Sequence, residues 1–357
     1  MKKILIVDDS ALMRRVFCDI IEGDKRFQVT DKAANGLEAL ELLSKNTYDA
    51  VVLDVNMPKM SGLELLRELQ KRKIPVKVMM ASTDTMGGAK TTMDALELGA
   101  LDFVHKPTSA LECRRGPFRE AFLSTLVVVA ESRSPVTDRA FTVDSIKKTK
   151  QVVELAKKHS SVISQNKIVA IASSTGGPKA LHSVITKLPK DLRTPVVLVQ
   201  HMPAGFTQSL AERLNSLSEI TVSEAVEGET LQGGHVYIAR GGKHLNIDKK
   251  PGGRYVVRYS DEPAREGVKP CANYMYESLA NSDFDEIICV VTTGMGADGT
   301  KGIVNLKNAK KVHVLVQEQS TCAVYGMPKS AVQAGLADEI VPLEQIAQEI
   351  ILNVGVK

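Results

Sequence analysis

A chain of 357 residues, 43% hydrophobic and 25% charged, is long enough for two soluble domains, each with a core of its own. With 4% aromatic residues and no Trp, base-stacking surfaces are not expected, and the net charge of +4 sits outside the domains: residues 1–107 carry 16 Lys and Arg against 16 Asp and Glu, residues 166–357 carry 20 against 20, and residues 108–165 carry 10 against 6. Five scattered cysteines without a C-x-x-C pair argue against a disulfide framework or zinc ribbon, and no signal core or membrane span is visible, so a cytoplasmic protein with no membrane insertion and no nucleic-acid partner is expected.

The first hundred residues alternate short apolar runs with amphipathic stretches. Ile4-Leu5-Ile6-Val7, Ala50-Val51-Val52-Leu53, Val76–Met80 and Asp102–Val104 read as buried strands. Gly36–Leu43 and Gly62–Leu69 place apolar residues three and four apart and read as helices. Strands alternating with helices imply a parallel sheet covered on both faces, with its chemistry at the carboxyl ends of the strands. Asp8 and Asp9 fall at such an end, as do Asp54, Ser82 and Lys106. Any one of these Asp residues is read equally well as a cap for the helix that follows. Together, three carboxylates at one edge repel unless a hard divalent cation sits among them, and Mg2+ suits an oxygen-only site. The ion would also neutralise an incoming phosphoryl group, whose oxygens a lysine and a hydroxyl can bind.

The set Asp8-Asp9, Asp54, Ser82 and Lys106-Pro107 resembles the response-regulator receiver family, a doubly wound five-stranded parallel fold, over residues 1 to about 107. The resemblance implies that Asp54 accepts a phosphoryl group and that Asp9 and Asp54 bind Mg2+ with Asp8 assisting. The backbone carbonyl of Asn56 would complete the protein ligands. Ser82, preferred to its neighbour Thr83 for its spacing to Lys106, would be the switch hydroxyl, and Lys106 the phosphate-sensing lysine.

Regularity fades after Pro107. Arg114-Arg115-Gly116-Pro117 and Ser132-Arg133-Ser134-Pro135 are breaker-rich, so 108–165 reads as a basic linker, partly helical around Phe118–Ala130 and again in the lysine-rich Thr142–Lys158. A second α/β pattern covers 166–357, with buried strands at Lys167–Ala172, Pro195–Gln200, Glu286–Thr292 and Val312–Gln317. Gly233–Ala239 and Arg254–Ser260 read as exposed antiparallel strands flanked by glycine turns. No internal repeat is present.

Ser174 lies where the first of these strands turns toward a helix, in Ser173-Ser174-Thr175-Gly176-Gly177-Pro178. A tight turn lifts its side chain from the sheet, and the exposed N–H groups can hold an oxyanion. A phosphate-binding glycine turn fits the same six residues equally well. A serine nucleophile needs an imidazole base and an orienting carboxylate. His201 directly follows Val196–Gln200, and Asp298 lies in the glycine turn after Glu286–Thr292, so three strands would deliver the three groups to one edge. His244, after Arg240-Gly241-Gly242-Lys243, is the competing histidine.

Ser-Ser-Thr-Gly-Gly at 173–177, Gln-His-Met-Pro at 200–203 and Gly-Met-Gly-Ala-Asp-Gly at 294–299 resemble the chemotaxis protein-glutamate methylesterase (CheB) family, as does the order receiver, linker, esterase. The resemblance spans essentially the whole chain. It implies two doubly wound parallel-sheet domains joined by a long linker, with Ser174 as nucleophile, His201 as general base, Asp298 as orienting acid and Met295 a contributor of an oxyanion-binding N–H. It further implies methylated chemoreceptors as substrate, glutamine deamidation as a second activity, and a chemotaxis histidine kinase as phosphodonor. Mg2+ would serve the receiver, and the esterase reaction would need no cofactor. The unphosphorylated receiver is expected to cover the esterase edge. Arg240 stands where the family usually has Pro, and the linker matches no motif. A receiver-coupled transcription factor would need a basic helix-turn-helix output, which the charge-balanced α/β pattern of 166–357 does not offer; a binding module would have the fold without needing the three groups.

Overall fold

Buried on both faces, the continuous apolar runs of the first unit form parallel strands rather than alternating ones. The computed structural model of the chain describes residues 1–83, 86–107, 110–113, 116–132 and 166–356, and divides it into two compact units, Met1–Arg139 and Ala140–Lys357. In the first, strands β1 (Lys2–Val7), β2 (Phe27–Ala33), β3 (Ala50–Asp54), β4 (Val78–Thr83) and β5 (Asp102–Lys106) pair in the order β2-β1-β3-β4-β5, all parallel. The order reverses at β1, where the ends of β1 and β3 open a crevice. Helix Gly62–Lys71 opens with a capping box, Ser61 with Glu64. Gly62 is obligatory there, since a Cβ would lie 2.3 Å from the Asp54 carbonyl oxygen.

Helix Gly116–Glu131 belongs to this unit, although the sequence reading ends the receiver at 107. Phe122 is buried and stacks on Phe17 with ring centroids 5.1 Å apart, and Lys77 Nζ donates to the Ala130 carbonyl at 2.8 Å. The Gly-Pro pair read as a break starts this helix instead, because proline is tolerated in a first turn. Elsewhere in the segment read as linker, Ala110–Cys113 forms a short helix, while residues 133–165, including the helix expected at Thr142–Lys158, lie outside the described residues.

In the second unit, seven strands pair in parallel in the order β14-β13-β12-β6-β7-β9-β8. They are β6 (Lys167–Ser173), β7 (Val196–Gln200), β8 (Thr221–Glu224), β9 (His235–Ile238), β12 (Glu286–Val291), β13 (Val312–Gln317) and β14 (Glu339–Val341). A separate antiparallel pair joins β10 (His244–Lys250) to β11 (Arg254–Ser260). β11 is antiparallel as read, but Gly233–Ala239 is not an exposed antiparallel strand. Its core, β9, is buried and runs parallel between β7 and β8. The preceding glycines serve close packing rather than a hairpin: a Cβ on Gly233 would meet the Arg193 carbonyl oxygen at 2.2 Å. The central strand β6 has β12 on one side and β7 on the other, so the turns after all three leave one edge together.

Candidate active site

Ser174 follows β6 directly. Its backbone N–H donates to the Thr293 carbonyl at 3.0 Å, and its own carbonyl accepts from Gly177 N–H at 2.7 Å and from Gln200 Nε2 at 2.9 Å. Glycine is required on both sides of this turn. Gly176 has φ +76°, and a Cβ on Gly294 would sit 2.7 Å from Ser174 Cβ. Helix Gly177–Ile185 starts at once, and the positive end of its dipole lies at the serine. The half-buried serine is thus lifted from the sheet and held by both neighbouring strands.

His201 stands one step along the adjacent strand: Ser173 pairs with Gln200, and His201 N–H donates to the Ser173 carbonyl at 3.1 Å. Its Nε2 lies 2.7 Å from Asp298 Oδ2. Next to an ionised carboxylate that nitrogen carries the proton, an assignment made from its partner, and Nδ1 is left as the basic nitrogen. Asp298 is buried, which pushes its pKa up, but hydrogen bonds and charge from His201 and donors at Cys271 and Ala272 outweigh burial and hold the carboxyl below its usual range. Of the sequence-predicted trio, His201 and Asp298 are hydrogen-bonded; Ser174 leaves the same edge, with no hydrogen bond from its Oγ to the imidazole. Apo sites often close that bond only with substrate present.

His244, the competitor, is fully buried in β10. Its Nε2 donates to the Pro263 carbonyl at 3.2 Å, its ring packs on Tyr274 at 4.5 Å, and burial lowers its pKa. It is a core residue. Met295 is 47% exposed between Gly294 and Gly296, and its backbone N–H has no acceptor among the described residues. That amide is available to a ligand.

The other strand-end cluster lies in the first unit. Carboxylate oxygens of Asp8, Asp9 and Asp54 fall within 4.8 Å of one another. Lys106 Nζ reaches Asp8 Oδ2 at 2.9 Å and Asp54 Oδ1 at 2.6 Å, with all three side chains buried. Burial raises the pKa of Asp54; Lys106 opposes this and Asp8 adds to it. Burial works against the charge on Lys106, but the two carboxylates outweigh it and raise its pKa. One lysine cannot neutralise three carboxylates, so the all-oxygen cluster fits a hard divalent cation. Asn56 is exposed two residues beyond Asp54, and Ser82 is buried one position past Ala81, the β4 partner of Asp54. Ser82 Oγ lies 3.5 Å from the Gly88 carbonyl oxygen, at the limit of a hydrogen bond.

Residues 169–350 match the family model for CheB methylesterase, and residues 4–114 that for the response regulator receiver domain. Two curated relatives are named protein-glutamate methylesterase/protein-glutamine glutaminase. The one from Geobacillus kaustophilus is 41% identical over 99% of both chains, and the one from Bacillus subtilis 42% over 98% of both. The crystal structure of the Thermotoga maritima CheB methylesterase catalytic domain matches with a TM-score of 0.51 at 42% identity, covering 53% of this chain and 99% of that one.

The chain belongs to the CheB methylesterase family.

Membership makes it a carboxylic-ester hydrolase carrying a receiver domain. The seven-stranded sheet with β6 at its centre and the five-stranded sheet of the first unit are the two parallel-sheet α/β domains, methylesterase and receiver. Several residues around the site went unread in the sequence. Gln200 and Thr293 are buried polar residues at strand ends, which is a legible signal; both tie the serine turn to neighbouring strands. Cys271 and Asn273 carry no local signal and reach Asp298 only through the fold.

Proposed function

We propose that the enzyme hydrolyses glutamate γ-methyl esters on the cytoplasmic helices of chemoreceptors, by a Ser174-His201-Asp298 acyl-enzyme mechanism. The observation that carries this reading is the His201–Asp298 hydrogen bond of 2.7 Å on the strand edge from which Ser174 emerges. Ser174 Oγ attacks the ester carbonyl as its proton passes to His201 Nδ1. The negative oxygen of the tetrahedral intermediate is held by backbone N–H groups, Met295 among them. Methanol leaves with the proton from His201, and water, deprotonated by the same nitrogen, releases the glutamate and the free serine. Asp298 keeps the imidazole in one tautomer and stabilises its charged form. An amide can follow the same path with ammonia leaving, so glutamine deamidation belongs to the same site.

The receiver supplies control. Asp54 is the phosphoacceptor, served by a chemotaxis histidine kinase, with Ser82 and Lys106 sensing the phosphoryl group. Asp8, Asp9, Asp54 and the Asn56 carbonyl would hold a Mg2+ ion, which when bound supplies positive charge against the phosphoryl oxygens. Lys106, already bonded to Asp54, would turn to those oxygens. Moving a two-state equilibrium from 1:99 to 99:1 takes about 5.5 kcal/mol of differential stabilisation, and a partial shift takes less. Methanol release from methylated receptor membranes tests the esterase reading. Ser174→Ala should release none above background; equal rates for the two proteins would remove Ser174 from the mechanism.

A further inference from the structure

We propose that Asn273, supported by the Cys271 thiol, is a positioning residue that fixes the Asp298 carboxylate and through it the His201 imidazole. The inference rests on the acyl-enzyme reading above and adds to it the device that holds the acid in place.

Asp298 needs such a device because of where it stands. Its turn runs through Gly294, Gly296 with φ +82° and Gly299 with φ +93°, and glycine imposes little conformational order of its own. Yet its carboxylate receives five hydrogen bonds. Oδ2 accepts from His201 at 2.7 Å and from Ala272 N–H at 2.6 Å; Oδ1 accepts from Cys271 Sγ at 3.0 Å, Asn273 N–H at 3.0 Å and Gly299 N–H at 2.8 Å. Three of the donors belong to consecutive residues at the start of helix Ala272–Ser278.

Asn273 closes the arrangement from the other direction. Its side-chain Oδ1 accepts from Gly299 N–H at 3.1 Å and Gly302 N–H at 2.6 Å, so the residue after Asp298 is bound to the same asparagine whose backbone binds Asp298. Its Nδ2 donates to Glu266 Oε1 at 3.3 Å, which fixes the amide with Oδ1 toward the two glycines. The side chain is fully buried, and a Cβ on Gly302 would lie 2.7 Å from Asn273 Cα, so the two helix starts have no slack between them. Cys271 is equally buried; burial, reinforced by Asp298, pushes its thiol up to about 12, so it remains a protonated donor.

Capping of helix Thr300–Lys307 alone would also explain the Oδ1 bonds, and kinetics separate the two roles. A displacement of about 1 Å at a reacting group can cost on the order of 100-fold in rate. Full-length Asn273→Ala, assayed on methylated receptor membranes, should lose about 10- to 100-fold in kcat with KM within about twofold. The downfield proton resonance of the His201–Asp298 hydrogen bond should shift or broaden. Should Asn273→Ala not fold, Cys271 decides: Cys271→Ala should lower kcat several-fold while Cys271→Ser, which keeps a donor, should not. An Asn273→Ala protein with kcat within twofold and an unmoved resonance would overturn the proposal, as would equal rates for the two Cys271 variants. Ser174→Ala run alongside keeps the two readings apart: if it retains activity the mechanism itself is wrong, and if it alone is inactive only the positioning role falls.

Discussion

Asp54 and Asp298 are both buried carboxylates at the carboxyl end of a parallel sheet, and their surroundings push them in opposite directions. Asp298 collects five hydrogen-bond donors on two oxygens and is held below the ordinary carboxylate range, the imidazole and nearby donors having overcome burial. Asp54 has a lysine on Oδ1 and the N–H of Val55, with Asp8 and Asp9 nearby, and burial leaves its pKa raised. The first is a fixed charge that orients something else. The second is crowded by like charge and only partly satisfied, which is the setting expected of the phosphoacceptor and cation ligand proposed for it. Burial alone does not say which role a carboxylate plays; the count of donors around it does.

The largest effect that would sharpen this contrast is on rate. Asp298→Asn should lower methanol release by roughly 1,000- to 10,000-fold, since an amide there favours the wrong imidazole tautomer. Next comes the lysine. Lys106→Met leaves Asp8 and Asp54 buried and facing each other, and should destabilise the first unit by about 3–5 kcal/mol, read as faster hydrogen exchange of β1 and β3 amides. Mg2+ should restore part of that loss, about 2.7 kcal/mol at a concentration 100 times its dissociation constant.

Smaller effects follow from pH. The depressed pKa of Asp298 means its ionised form stabilises the fold; that contribution is complete above the ordinary carboxylate range near 4 and is lost as pH falls through the folded-state value. In the second unit, Asp298→Asn should therefore cost about 2 kcal/mol at pH 7, and progressively less as pH falls below the ordinary carboxylate range. Asp54 has the opposite sign. Its raised pKa makes ionisation unfavourable in the folded state, so Asp54→Asn should stabilise the first unit at pH 7, by less than about 1 kcal/mol. A stabilising effect at both aspartates, or at neither, would break the comparison.

Much of this was legible in the sequence, and the reasons differ by element. Strands β1, β3, β6, β7 and β12 are uninterrupted apolar runs, and the residues that matter follow directly after them. That made Asp54, Ser174 and His201 visible by position. His201 stood ahead of His244 by position, since it follows an apolar run and His244 a glycine turn; the fold adds that His244 is enclosed. β9 was misread because Gly233 and Gly234 look like hairpin glycines, whereas they make room for the carbonyls of Arg193 and Lys190. Helix Gly116–Glu131 looked like linker since its breakers come first and its apolar face is recognised only against Phe17. Asn273 was beyond reach, lying 25 residues from Asp298 with nothing local to link them.

The central claim is an esterase centred on Ser174 and governed by Asp54. Methanol release from methylated receptor membranes, measured with and without a small phosphodonor for wild type, Asp54→Asn and Ser174→Ala, tests both parts together. Wild type should accelerate with the phosphodonor, Asp54→Asn should stay at the basal rate, and Ser174→Ala should release nothing in either condition. Release by Ser174→Ala at the wild-type rate, or undiminished activation of Asp54→Asn, would contradict the account.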